Sequence, residues 1–297
     1  MFKKIILLII FFLGLSILLY PSISQYFNSL TQSRAITNYE AMNKRLGDND
    51  YDNIFKESDK YNQELFNLKF PLTKYKSIKN YQKLLNINND GMMGYISIDK
   101  LGIKLPIYHG TSASVLNVAV GHLEGSSLPV GGPSTHSVLS AHRGHPSAKL
   151  FTNLNKLEIG DIFIINVLNR ELVYQVNKIL IVEPNDVKAL EIIEGLDLVT
   201  LITCTPYGIN THRLLVQGER IDNISAADVI ITSDAYKIDN IFVSIAISII
   251  IFIILITLGG DDGVDGVFQH PDAVCCRQSQ CAAAAALTDE DGQHRHR

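Results

Sequence analysis

The sequence contains no tryptophan and only four methionines, absences that by themselves exclude no class of protein. The shortage of cysteine says more. Of four Cys, three (Cys275, Cys276 and Cys281) lie near the C-terminal end, and Cys204 alone stands in the part patterned like a folded domain. A disulfide framework needs paired cysteines at domain spacing, so that part has none. Cys275-Cys276-x4-Cys281 lacks the paired spacing of a zinc site. Basic charge is not in excess either: 26 Lys and Arg stand against 30 Asp and Glu, a formal net charge of −4, which gives no case for nucleic-acid binding. What these shortages leave is one lone thiol. Its neighbours decide whether it is reactive or an inert core residue.

Hydrophobic residues make up 46% of the chain, and two apolar runs account for much of that. Met1-Phe2-Lys3-Lys4 precedes an apolar run of 16 residues, Ile5 to Tyr20. No small-x-small cleavage site follows it, so it reads as an uncleaved anchor with its Lys end in the cytosol, against a cleaved signal as the rival. Ile241 to Leu258, 18 residues without a charge, reads as a spanning helix. Two spans put the intervening domain outside the plasma membrane and both termini inside. The flank Gly259-Gly260-Asp261-Asp262 is not the Lys/Arg cluster expected on a cytosolic side. The tail 259–297 has no apolar period and is assigned no fold.

Residues 21–90 are polar, with scattered apolar points (Ala41, Leu46, Ile54, Phe55, Leu65, Phe66, Leu68) and helix formers between them. They predict one or two surface helices with a loose connection at Phe70-Pro71-Leu72, packed on the next domain or serving as a stalk. From Gly91 the pattern changes to period two. Strands are predicted at Met93–Ile98, Ile103–Tyr108, Ser137–Ala141, Ile162–Leu168, Leu172–Val182, Leu198–Cys204 and Arg213–Arg220, with turn residues between them. Short helices are predicted near Ser114–Val118, Ala148–Asn153 and Val187–Glu191. A closed or nearly closed, mainly β barrel over 91–222 follows, then a linker over 223–240.

The stretch with most chemistry is Thr200-Leu201-Ile202-Thr203-Cys204-Thr205-Pro206-Tyr207-Gly208-Ile209-Asn210-Thr211-His212-Arg213. It reads as a buried strand ending in a thiol, a Pro/Gly/Asn turn, and a return strand opening with a guanidinium. Arg213 beside Cys204 would favour thiolate over thiol and face a developing oxyanion. The base is offered upstream by His142, at the end of another predicted strand in Ser140-Ala141-His142-Arg143-Gly144-His145. His122, His136, His145 and His212 are read as structural turn histidines. The spacing of positions 122, 136, 142 and 145 fits no ligand motif, so no metal is expected. No cofactor is expected.

Thr200-Leu201-Ile202-Thr203-Cys204 followed by Arg213, with His142 in its Ala-His-Arg-Gly setting, resembles the sortase family. Leu105-Pro106-Ile107-Tyr108-His109-Gly110-Thr111 and Gly121-His122-Leu123-Glu124-Gly125-Ser126-Ser127-Leu128-Pro129-Val130-Gly131-Gly132 resemble class C, the pilin-polymerising sortases of Gram-positive surfaces. The resemblance covers about 91–222. It implies a closed eight-stranded sortase barrel with short helices, and an external active site on Cys204, His142 and Arg213. It also implies transpeptidation at an LPxTG-like sorting signal of a pilin or surface protein, with a pilin lysine amine as acceptor. Many class C sortases cover the site with a lid bearing an Asp-Pro-aromatic motif. This chain has no Asp-Pro pair, so a lid of that type is not expected. Three rivals stand beside this reading: a sortase that uses a cell-wall precursor amine, a cysteine peptidase in which water takes the acyl group, and a non-catalytic membrane-anchored scaffold.

Overall fold

The computed structural model describes residues 2–68, 71–221, 245 and 247–252. Eight strands close into one barrel in the order β1-β2-β3-β4-β7-β8-β6-β5. They are β1 (Met92–Ile98), β2 (Ile103–His109), β3 (Val120–His122), β4 (Thr135–Ser140), β5 (Ile162–Val167), β6 (Arg170–Val182), β7 (Asp197–Thr205) and β8 (His212–Arg220). Neighbours are antiparallel except β2 with β3 and β4 with β7. Seven of these strands are those the alternation predicts. The eighth, β3, is three residues long, too short to show a period.

The barrel interior is filled by the inward halves of these alternations. Ile96, Ile107, Leu139, Phe163, Ile165, Tyr174, Val199, Leu201 and Val216 are all fully buried, and the Phe163 and Tyr174 rings stack with centroids 5.6 Å apart. The helix predicted over Ala148–Asn153 does not form. Leu150 has a φ of 38°, a left-handed conformation that stops a right-handed helix, and only a single 3₁₀ turn follows at Leu154–Lys156. At Val187–Glu191 the helix is likewise reduced to one 3₁₀ turn, Lys188–Leu190.

The polar segment packs on the barrel. Helix α1 (Phe2–Asn43) runs unbroken through Pro21 and is, among the described residues, the one helix long and apolar enough to cross a membrane. Its far end is fixed to the barrel by Tyr39, whose hydroxyl donates to the Met93 carbonyl at 3.0 Å and accepts from the Leu168 N–H at 2.9 Å. Helix α2 (Asp48–Phe66) buries Phe55, Tyr61 and Leu65 in the same apolar core as the strands. Its Asn62 acts as a backbone mimic, pairing with both the N–H and the carbonyl of Leu128. Of the run 241–258, residues 245 and 247–252 are helical. The rest of that run, the 223–240 linker and the 259–297 tail lie outside the described residues.

Two histidines expected at surface turns are core residues. His122 and His136 are fully buried. His122 Nε2–H donates to the Ser127 carbonyl at 2.8 Å, and its Nδ1 accepts from the Tyr81 hydroxyl at 2.9 Å. His136 lies between the Glu191 carbonyl and the Thr200 hydroxyl. A neutral imidazole with both nitrogens paired is cheap to bury, and a charged one is not. Burial accordingly pushes His122 down from 6.5 to about 4, and His136 in the same direction. Between those values the unfolded chain binds the proton that the folded chain refuses, so stability rises with pH. Acidification from pH 7 to 5 is therefore expected to cost about 2 kcal/mol through His122 alone. Urea unfolding at the two pH values measures it, and a flat profile would contradict the buried neutral assignment.

Candidate active site

On β7, Val199, Leu201 and Thr203 point into the barrel and are buried. The period of two therefore sends Thr200, Ile202 and Cys204 to the outer face. Ile202 lies there in a separate apolar cluster with Val138, Leu190 and Leu215. Cys204 is free and half-buried, and the turn Pro206–Asn210 beyond it is exposed. Arg213 is the register partner of Cys204 on β8. With Leu214 and Val216 turned into the core, Arg213 shares the outer face, its Cβ roughly 4.5–5.5 Å from that of the cysteine.

His142 reaches the same place from β4. The ladder continues past the end of that strand: the Ala141 N–H donates to the Ile202 carbonyl at 3.1 Å, and the Thr203 hydroxyl donates to the Ala141 carbonyl at 2.8 Å. Ala141 fills the core, so the next side chain turns outward beside Cys204. The parallel pairing of β4 with β7 thus joins residues 62 positions apart in the chain.

Three residues to which the sequence reading gives no part in the site hold this loop. Arg143 Nη1 donates to Thr205 Oγ1 at 3.0 Å. Gly144, at φ +73°, lies under Tyr207 so closely that a Cβ would come within 2.7 Å of the ring. His145, read as structural, stacks on His142 with centroids 5.7 Å apart and planes 11° from parallel, and its Nδ1 is bonded to the Ser147 hydroxyl at 2.8 Å. No motif in the sequence marks these contacts: the first two depend on the end of β7 and its turn folding over the loop after β4, and the third on that loop curling back on itself. Burial, and secondarily the His145 ring, lowers the pKa of His142 below its ordinary value. Near neutral pH the imidazole is therefore uncharged, the form able to accept a proton.

Arg213 Nη1 donates to the carbonyls of Asn210 (3.2 Å) and His212 (3.1 Å). The guanidinium is held on its own turn, and it must give up at least one of those bonds to reach an oxyanion. His212 is exposed and bonded to Thr211, away from the shared face. Among the described residues no group of three or more His, Cys, Asp or Glu is placed to hold a metal ion.

Part of the outer face is covered without an Asp-Pro pair. Helix α3 (Pro71–Lys74) and the turn after it lie across it: Leu72 packs on the cluster that contains Ile202, and Pro71, Leu72 and Tyr75 crowd Gly125. Ile202 is two residues from Cys204 on the same side, about 7 Å along the strand. An aliphatic side chain on an apolar face makes this contact without an Asp-Pro-aromatic motif. Because Leu72 is only half-buried, its packing contributes about 1 kcal/mol. The Leu72→Ser substitution is expected to speed acylation of Cys204 by a short peptide roughly fivefold, measured by mass analysis of the adduct over time. An unchanged rate would mean that this segment does not limit access.

A mixed, closed eight-stranded barrel with a thiol, an imidazole and a guanidinium on one outer face has the layout of a cysteine-type acyltransferase. A sortase-domain family model matches residues 96–221. Among solved structures, sortase C1 of Streptococcus agalactiae is 46% identical with a TM-score of 0.59, the match covering 64% of this chain and 100% of that one. Sortase C of Clostridium perfringens, solved with the C-terminal cell wall sorting motif, is 46% identical with a TM-score of 0.58, over 64% of this chain and 99% of that one. The curated relative sortase D of Bacillus subtilis (strain 168) is 30% identical over 131 residues, 43% of this chain. The chain spans 63% of the length of that relative, and 40% of the length of sortase SrtE1 of Streptomyces coelicolor. The chain belongs to the sortase family, a family of cysteine transpeptidases, and within it the resemblance is to class C.

Proposed function

We propose that this chain is a membrane-anchored cysteine transpeptidase that joins an LPxTG-like sorting signal to a pilin lysine. The observation that carries the reading is the pairing of Cys204 with Arg213 across β7 and β8, with His142 brought to the same face by the ladder beyond β4. Cys204 Sγ, its proton taken by His142, attacks the Thr–Gly carbonyl. The carbonyl oxygen becomes an oxyanion facing Arg213. The C–N bond then breaks, the imidazolium returns its proton to the leaving glycine amine, and the threonine remains as a thioester on the sulfur. The incoming lysine Nζ loses a proton to His142, attacks the thioester carbonyl and releases the sulfur, leaving an isopeptide bond. Helix α1 supplies the anchor, uncleaved, with the barrel outside the plasma membrane and the 241–258 run as a second span.

Likeness to class C favours a pilin lysine over a cell-wall amine as acceptor. The deciding experiment offers the acyl-enzyme a pilin-derived lysine peptide and a peptidoglycan cross-bridge amine together. The pilin reading expects the isopeptide product to dominate, whereas predominance of the cross-bridge adduct would assign surface-protein anchoring instead. Free acid as the main product would make the chain a peptidase.

A further inference from the structure

We propose that the catalytic rim of the barrel rests against the bilayer surface, with Tyr207 and Ile209 as its lipid-contacting tip. The inference rests on the reading of α1 as a membrane anchor and adds the direction in which the active site faces. Helix α1 is fastened to the barrel at both ends of their contact, and the two ends differ. Its C-terminal end reaches the β5–β6 turn, where Asn43 donates to the Leu168 carbonyl at 2.8 Å. That turn belongs to the barrel end opposite Cys204, since β6 runs from Arg170 there to Val182 beside Arg213. Its middle meets the loop after His142: Asn28 donates to the Ser147 carbonyl at 2.8 Å and Gln25 to the Pro146 carbonyl at 3.4 Å. Helix α1 thus enters from its apolar end at the catalytic rim and leaves at the far end.

The exposed apolar stretch of α1 does not stop short of that loop. Ile9, Leu13, Ile17, Tyr20, Ile23, Tyr26 and Phe27 are all exposed, so the outward face is apolar to within one residue of Asn28. A hydrocarbon core takes about 20 helical residues. Counted from Ile5, the first residue after the Lys3-Lys4 pair, this puts the outer interface near residue 24, between Tyr20 and the pair Tyr26 and Phe27, the aromatic types that settle at headgroup depth. The Pro146–Ser147 loop is hydrogen-bonded at that same level. Tyr207 packs on Gly144 in the same loop and is 60% exposed, and Ile209 beyond it is 69% exposed. An aromatic and an aliphatic side chain at the tip of a short turn suit an interface and cost burial energy nowhere else. The β5–β6 turn is met at Asn43, 15 residues beyond Asn28, about 22 Å along the helix axis. Access to the thiol then runs along the membrane plane.

The chain has no tryptophan, so single substitutions serve as depth reporters. The full chain would be reconstituted in phosphatidylglycerol–phosphatidylcholine vesicles containing brominated lipid, carrying Tyr207→Trp, Ile209→Trp, Asn169→Trp or Phe12→Trp in turn. Phe12 lies in the apolar run, and Asn169 is exposed on the far turn. The expected result is bromolipid quenching of Phe12→Trp and of at least one of Tyr207→Trp and Ile209→Trp, with none at Asn169→Trp. Quenching at Phe12→Trp but at neither tip position, or at Asn169→Trp instead, overturns the orientation and leaves the anchor standing. No quenching at Phe12→Trp overturns both.

Discussion

Replacing Cys204 with alanine is expected to abolish the covalent adduct with a sorting-signal peptide and to reduce turnover to background, a loss on the order of 10⁶-fold as for other enzymes stripped of their nucleophile. The barrel should survive the change. Cys204 is half-buried on the outer face, outside the core cluster that Leu201 and Val199 occupy, and the Thr203 bond to Ala141 remains. Unfolding stability should shift by no more than about 0.5 kcal/mol, the usual cost at a surface position. The chain carries its own control. Cys275, Cys276 and Cys281 are still present in the substituted protein, so mass analysis of the incubated chain asks whether any other sulfur can take the acyl group. An adduct that persists in Cys204→Ala would move the chemistry to the tail and undo the assignment of the rim.

The difference between Cys204 and those other thiols is legible in the sequence alone, because it depends on local pattern. A strand of period two that ends in cysteine, a Pro/Gly/Asn turn and an arginine at the start of the next strand describe a hairpin. A hairpin fixes which side chains face each other. The same local logic located β1, β2 and β4 to β8. It fails where a contact is set by distant parts of the chain. Val120–His122 is too short to show alternation and becomes a strand by pairing with β2 on one side and β4 on the other. His122 and His136 look like turn residues until Ser127, Tyr81, Glu191 and Thr200 are brought to their ring nitrogens. Polar residues after Tyr20 suggested a boundary, yet α1 continues because Ile36 and Tyr39 bury themselves against the barrel. Leu72 is an ordinary leucine in sequence, and only the apolar outer face of β4, β7 and β8 gives it a place.

Arg213→Ala should lower kcat by about 10²–10³-fold, equivalent to losing roughly 2.7–4 kcal/mol of oxyanion stabilisation, with a smaller effect on KM. The argument for kcat lies in the resting position of the guanidinium. Its Nη1 is held by the carbonyls of Asn210 and His212, so the ground state has little use for it. A negative oxygen forming over Cys204 is a stronger acceptor than either amide carbonyl, and charge-assisted hydrogen bonds are roughly twice as strong as neutral ones. The exchange therefore becomes favourable as the transition state forms, which is the condition for an interaction to accelerate a reaction. Lysine should rescue only part of the loss, because an ammonium offers a point charge where the planar fork can keep one turn carbonyl and reach the oxyanion at once. Arg213 lies on the outer face between buried Leu214 and exposed His212, so thermal unfolding should be unchanged. Single-turnover acylation followed by mass analysis separates the two parameters. A loss confined to KM would make Arg213 a substrate clamp, and a loss below about tenfold, or 1.4 kcal/mol, would remove it from the chemistry.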